Sequence, residues 1–372
     1  MHRIAATPGG WTPDTEGFIV VEQSPAPIVI LTAADTELQT LAGAIAGLPE
    51  GFPAVRATNL LQLQQQMSID LYAESVLAQA QVIVLRLLGG RAYWPYGLEV
   101  CLETVRQTGA SLIVLPGDDR SDPGLMGHST LPLAAIDRVW NYLVEGGAEN
   151  FRNGLLFLAA TCLEAKYQPP PPQSIPRTGL YEYPAAADRD RLRVGVLFYR
   201  AHYLAGNTAA IDALCGALQA KGLAPIPVYV PSLRDPEVRA EVLEHLQGVC
   251  AIINTTGFSL AKLDTASPDV SFWEALGVPV LQAILSGGTQ EQWAAQWRGL
   301  SPRDTAMNVA LPEVDGRIIS RAISFKAARS RHPQLETDII GYEPACDRID
   351  FVAELAANWT RLQQTPPSDR CV

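Results

Sequence analysis

The chain has 372 residues, of which 48% are hydrophobic and 18% charged, a globular balance with length for two or three domains. Its formal net charge of −11 argues against a general nucleic-acid binder, which needs a basic surface to displace counterions. No uninterrupted apolar stretch is long enough to span a bilayer, and the opening "MHRIAATPGGWTPDTEG" has no apolar signal core. The six cysteines (Cys101, Cys162, Cys215, Cys250, Cys346 and Cys371) form no CxxC pair, and several fall inside apolar patterns. A reduced, cytoplasmic protein is the expectation.

Residues 1–24 are rich in Pro, Gly and Thr and read as an irregular arm. A first α/β domain is expected over 25–167. Its strands are "APIVILT" (26–32), "AVRATNL" (54–60), "QVIVLRLL" (81–88) and "SLIVLPG" (111–117). Helical spacing follows each of the first three, with Ser68 as a cap for the second helix and Gly109 ending the third. Two more helices, around 131–145 and 148–165, close the domain. Strands alternating with helices predict a parallel sheet covered on both faces.

Four consecutive prolines at 169–172 favour extended polyproline structure, so 168–192 reads as a stiff Pro-rich linker. A second α/β series then runs over 193–345. Strands are expected at 193–199, 224–230, 249–256, 278–285 and 307–313, with helices near 208–221, 235–247, 268–276 and 288–298. The pattern predicts two consecutive doubly wound, mainly parallel, flavodoxin-like domains. A last helix over 348–365, within a C-terminal segment 346–372, stops at "PPSDRCV", the ending expected of a piece of a longer chain.

In open parallel sheets, ligands collect at the carboxyl ends of the strands. In the second domain those ends carry "RAHYLAGN", "NTTGFS" and "SGGTQEQW". They supply Arg200, His202, Asn207, Thr255, Thr256, Ser286, Gly287 and Thr289 as candidate ligand-binding residues. Gly287-Gly288 permits close backbone approach, and the helix start behind it favours an anion. The alternative is that Asn207, Ser286 and Thr289 only cap helices. His202 is either an acid, base or metal ligand, or only a hydrogen-bonding group. No GxGxxG or GxxxxGK[ST] marks a nucleotide site, and no HxxxH or HxxE pattern supplies a metal site.

In the first domain, "LLGGRAYWPYG" puts Arg91 and Trp94 in one loop, an arrangement suited to a flat anionic ligand or to a packed contact. "LPGDDRSDPG" carries Asp118, Asp119 and Asp122, which fit either a hard cation or an ordinary turn. "RIISRAISFKAARSRH" holds Arg317, Arg321, Lys326, Arg329 and Arg331 without an acid. It suits a polycarboxylate, an acidic partner or plain solvation.

Several long phrases carry a family resemblance: "PLAAIDRVWNYLVEGGAEN", "LFYRAHYLAGNTAAIDAL", "IINTTGFS", "LSGGTQEQW", "DRIDFVAELAANWTRL" and, most specifically, "GLSPRDTAMNVALPEVDGRIISRAISFK". Together they resemble the CobN and magnesium-chelatase H family of chelatase large subunits, nearer the cobalt type. The resemblance implies ATP-dependent insertion of Co2+ into hydrogenobyrinic acid a,c-diamide in cobalamin biosynthesis. The alternative is Mg2+ insertion into protoporphyrin IX. It implies AAA+ ATPase subunits as partners and a tetrapyrrole or corrinoid as substrate. No cofactor is expected to be bound by this chain itself, and no nucleic acid or membrane span is expected. Family members are several times longer and their insertion centre is expected elsewhere, so no catalytic residue and no metal ligand carries over. A non-catalytic docking module of the same assembly, and a two-lobed small-molecule sensor, are the competing readings.

Overall fold

The computed structural model describes residues 18–183, 191–261 and 270–364. Its contacts divide the chain into two units. The first comprises residues 1–175 and 328–341, the second residues 176–327 and 342–372.

The first unit holds β1 (Ile28–Thr32), α1 (Asp35–Ile45), β2 (Val55–Asn59), α2 (Gln66–Ser75), β3 (Val82–Leu87), α3 (Pro95–Thr108) and β4 (Ser111–Pro116). A short α4 (Pro123–Met126) and the longer α5 (Leu133–Glu145) and α6 (Gly147–Cys162) follow. The four strands are parallel in the order β2-β1-β3-β4. Alternate residues of each strand feed two cores. Ile28, Ile30, Val82 and Val84 meet Leu38, Leu41, Phe151 and Leu155 from α1 and α6. Val29, Leu31, Ile83 and Leu85 meet Ile69, Tyr72 and Leu98 from α2 and α3. Both faces are covered, which is why these strands read as continuous apolar runs.

The second unit continues with β5 (Gly179–Leu180), β6 (Arg193–Tyr199), α7 (Arg200–Leu204), α8 (Ala209–Ala220), β7 (Ala224–Val230) and α9 (Pro236–His245). Next come β8 (Ala251–Asn254), α10 (Ser271–Leu276), β9 (Val280–Leu285), α11 (Gln290–Ala295) and α12 (Pro302–Thr305). A π-helical turn (Ala306–Ala310) leads into α13 (Leu311–Val314), β10 (Ile318–His332), β11 (Thr337–Pro344) and α14 (Cys346–Gln364). The sheet order is β11-β10-β9-β8-β6-β7-β5. The parallel strands from β7 to β10 follow the flavodoxin-like order, with β5 antiparallel on one edge. Helices α8 and α14 pack on one face, and α9 and α10 on the other. The α/β class and the mainly parallel sheets match the sequence reading.

Several details differ from that reading. Residues 307–313 form no strand. Ser301 caps α12 at Asp304 N, Pro302 takes its first position, and the helical run continues to Val314. The fifth parallel strand is instead β10, whose Ala322, Ile323 and Phe325 are buried. Ser68 does not cap α2, which starts two residues earlier at Gln66. Four residues join β10 to β11, too few for a parallel return, so they form a hairpin. Residues 328–341 of that hairpin group with the first unit, whereas a linear division at 345 assigns them to the second domain. Leu335 and Ile339 enter the first unit's core, and Arg56 pairs with Glu336 at 2.9 Å.

The proline run is not free chain. Arg138 Nη2 donates to the Pro169 carbonyl at 2.9 Å, and the Tyr142 hydroxyl donates to that of Pro170. Asn150 donates to Gln173 O at 2.8 Å and accepts from Gln173 N at 2.9 Å. Residues 169–173 are thus strapped to α5 and α6. Residues 1–17 of the expected arm, 184–190 of the expected linker and the tail from 365 lie outside the described residues.

Candidate functional site

In the second unit, the carboxyl ends of β6, β8 and β9 carry most of the predicted site residues, and nearly all of them are already engaged. Thr255 Oγ1 donates to Leu197 O at 2.9 Å, and Thr256 Oγ1 donates to Asn254 Oδ1 at 2.9 Å. Both threonines are 3% exposed, and their hydroxyls stitch the sheet end together. Asn207 does not cap α8; its Oδ1 accepts from Tyr342 N at 3.1 Å. Buried Arg200 donates from Nε to Pro176 O at 2.9 Å. Thr289 does cap α11, in a reciprocal box with Gln292.

The glycine pair after β9 forms the expected backbone cradle, and the protein fills it itself. Asp304 accepts from Gly287 N at 3.1 and 3.0 Å and from Ser286 Oγ at 3.2 Å. A Cβ at position 287 would lie 3.1 Å from Asp304 Oδ1, so glycine is what lets the carboxylate close on the amide. A second carboxylate does the same after β8. Asp315 accepts from Leu260 N and Ala261 N, from Trp273 Nε1 and from Arg317, whose Nη2 is 2.6 Å away. Arg317 also reaches Gln282 Oε1 and Thr256 O and lies over the Trp273 ring. Burial lowers its proton affinity, and Asp315 works against that. Sequence reasoning placed Arg317 in a basic strip and missed both acids, although all three lie in the most family-specific phrase.

His202 stands apart in this rim. Its ring meets Tyr342 edge-on at 5.3 Å and Tyr199 at 6.3 Å. Nδ1 is enclosed without a hydrogen-bond partner. Enclosure, and secondarily the charge of Lys326, pushes the imidazole down to about 4. It is therefore neutral at physiological pH, a base too weak to hold a proton there.

In the first unit the loops after β3 and β4 enclose an open cleft of about 850 Å³. Arg91 lines it, and so do Arg120, His128, Asp118 and Asp122, with Gly89-Gly90 along one wall. Pro95, the first residue of α3, also lines it, so the positive end of that helix adds to the two guanidiniums. The acids are committed to the backbone: Asp118 accepts from Arg120 N at 3.3 Å, and Asp122 caps α4 at Leu125 N at 2.9 Å. Arg91 is exposed, 3.6 Å from Glu99. Trp94 contributes nothing to a ligand surface. It is 5% exposed, donates to Leu63 O at 2.6 Å, and lies on Gly97, where a Cβ would come within 2.1 Å of its ring. Arg120 sits among the acids of "LPGDDRSDPG", and His128 lies four residues beyond that stretch with no motif around it.

Among the described residues no three His, Cys, Asp or Glu side chains come together to hold a metal ion. No helix among them is long and apolar enough to cross a membrane. What the arrangement offers is a cleft of ligand-holding size lined by two arginines, a histidine and two acids, and a second rim locked by internal hydrogen bonds.

Comparison with known proteins fits this fold. The chain is 41% identical to the aerobic cobaltochelatase subunit CobN of Pseudomonas aeruginosa, over all of this chain and 30% of that protein. The solved catalytic subunit of cobaltochelatase from Mycobacterium tuberculosis superposes with a TM-score of 0.64 at 32% identity, over 92% of this chain and 28% of that one. The magnesium-chelatase large subunit (the H type) of Cereibacter sphaeroides is 33% identical over 39% of this chain and 14% of its own length. The chain thus spans about a third of the length of its cobalt-type relatives. The CobN/Magnesium Chelatase family matches residues 140–372. With that match and the shared fold, the chain belongs to the CobN/magnesium chelatase family.

Proposed function

We propose that this chain is the N-terminal portion of the large subunit of an ATP-dependent cobaltochelatase, which inserts Co2+ into a corrin precursor such as hydrogenobyrinic acid a,c-diamide. The observation that carries this reading is the 41% identity to an aerobic cobaltochelatase subunit across the whole chain. The magnesium-type relative from Cereibacter sphaeroides aligns over only 39% of the chain, which favours the cobalt metal as substrate. ATP hydrolysis belongs to AAA+ partner subunits in this proposal, with the reaction in the cytoplasm.

Insertion requires removal of pyrrole protons and stripping of water from a hydrated ion. The part given to this chain is binding and orientation. The cleft between the β3 and β4 loops suits the acidic and amide side chains at a corrin's rim. Arg91 and Arg120 would pair with carboxylates, and the α3 amino end would add its dipole.

Titration with a corrin precursor, followed by tryptophan fluorescence, tests the proposal. The expected result is saturable quenching, weakened about tenfold in an Arg91→Ala/Arg120→Ala double variant. No quenching, together with capture of the ATPase subunits, would replace it with a docking role. The internally locked rim of the second unit is the observation that favours that second reading.

A further inference from the structure

Arg321 and Arg348 form an unusual pair in the second unit. Arg321 is exposed on β10, and its guanidinium stacks 3.5 Å above the ring of Phe351, which is itself 41% exposed. Arg348, at the start of α14, stacks 4.5 Å above Trp293 of α11 and donates from Nε to Ala322 O at 2.6 Å. Ala322 directly follows Arg321, so the two cations share one stretch of backbone. The chain has 39 acidic against 28 basic side chains, yet among the described residues neither arginine has a carboxylate in ion-pair reach. They repel one another instead: after burial, Arg321 is the main influence lowering the proton affinity of Arg348, and Asp347 offsets part of it.

Two adjacent like charges cost free energy unless an anion joins them. Stacking on aromatic faces holds both guanidiniums flat, and their remaining N–H groups can donate to a carboxylate. The surroundings are those of a protein interface. Helix α11, which carries Trp293, buries none of its residues, and Phe351 is 41% exposed. Arginine and tryptophan are the residues that dominate binding energy at interfaces.

We propose that Arg321 and Arg348, backed by Phe351 and Trp293, form a docking surface for an acidic segment of a partner protein. Side-chain carboxylates of the segment would bridge the two guanidiniums, and the exposed face of Phe351 would supply apolar contact beside Arg321.

Fluorescence anisotropy of a labelled deca-glutamate peptide with the full 372-residue chain tests this. Citrate serves as the small polycarboxylate for comparison. The peptide should bind saturably and release as salt rises, and citrate should compete poorly. Arg321→Glu should weaken the peptide about tenfold or more, and Phe351→Ala by a smaller factor. Because Arg348 also supports backbone, Arg321→Glu with unchanged circular dichroism is the decisive variant. Equal peptide binding by that variant, or absence of binding to the parent, overturns the proposal. Citrate binding as tightly as the peptide overturns it in favour of a small-anion site.

Discussion

Asp304 sets its carboxylate across the amide of Gly287, with both oxygens within 3.1 Å of the nitrogen. In an open parallel sheet that amide sits where a ligand's anionic group is commonly received. Here the occupant comes from the same chain, held in place by the Ser301 cap on Asp304's own backbone nitrogen at 3.1 Å. The rim after β9 is therefore closed by an internal anion.

Asp304→Ala should then behave as a structural lesion. It strands the Gly287 amide and the Ser286 hydroxyl, and removes a charged acceptor from both. A loss of about 1.5–3 kcal/mol is expected from urea unfolding. Stability within about 0.5 kcal/mol of the parent, a surface-like value, would sink the idea that this carboxylate closes the rim.

The polyproline segment leads to a prediction about exchange. Arg138 and Tyr142 hold the carbonyls of Pro169 and Pro170, and Asn150 holds Gln173. Asn150→Ala removes both bonds to Gln173, and Tyr142→Phe removes one from Pro170, leaving Arg138 on Pro169. Amide exchange at Gln173 should accelerate at least about tenfold, since each lost bond contributes roughly 1 kcal/mol. Exchange unchanged from the parent would return the segment to the status of a spacer stiff in its own right.

The two sheets were legible because their signals are local. "VILT" and "VIVLRL" are apolar on both faces, and the turns between elements carry ordinary punctuation. The site was less legible because its contacts are not local. Asp304 lies 17 residues from Gly287, and Asp315 lies 55 from Leu260. Nothing near either acid in sequence shows that an amide waits for it. Of the two readings of the Trp94 loop the packed contact holds, because the missing Cβ of Gly97 lets the ring fold inward. The misread strand at 307–313 shows the same limit, since an apolar stretch that short does not separate strand from helix.

His202 should make stability depend on pH with a definite sign. Enclosure holds its folded value near 4, below the ordinary 6.5. The unfolded chain therefore binds the proton more readily. The stabilisation is complete above pH 6.5, falls as pH drops through the interval to 4, and is then fully lost. The parent should lose on the order of 1–3 kcal/mol over that interval. His332, also lowered by burial, adds a slope of the same sign, so the comparison must be between variants. His202→Asn should show a shallower decline in urea midpoint from pH 6.5 to 4. Parallel curves for parent and variant would mean that the imidazole is hydrated in both states.

The Asp315–Arg317 pair makes the strongest demand. Their side chains are 0% and 1% exposed, and they join three segments distant in sequence: the loop after β8, the α10 tryptophan and the start of β10. Two charges taken from water gain little as a pair over apolar neighbours, but removing one abandons the other without solvent. Arg317→Met should therefore cost about 3–5 kcal/mol, and Asp315→Asn a comparable amount. The double variant Asp315→Leu/Arg317→Met should cost less than the sum of its single changes, because it leaves no buried charge behind. Hydrogen exchange supplies the local signature. Leu260 and Ala261, whose amides end on Asp315, should lose protection in Asp315→Asn while the β6 amides keep theirs. Additive costs in the double variant, or uniform loss of protection across both regions, would show that the pair contributes general stability and does not fasten the loop after β8.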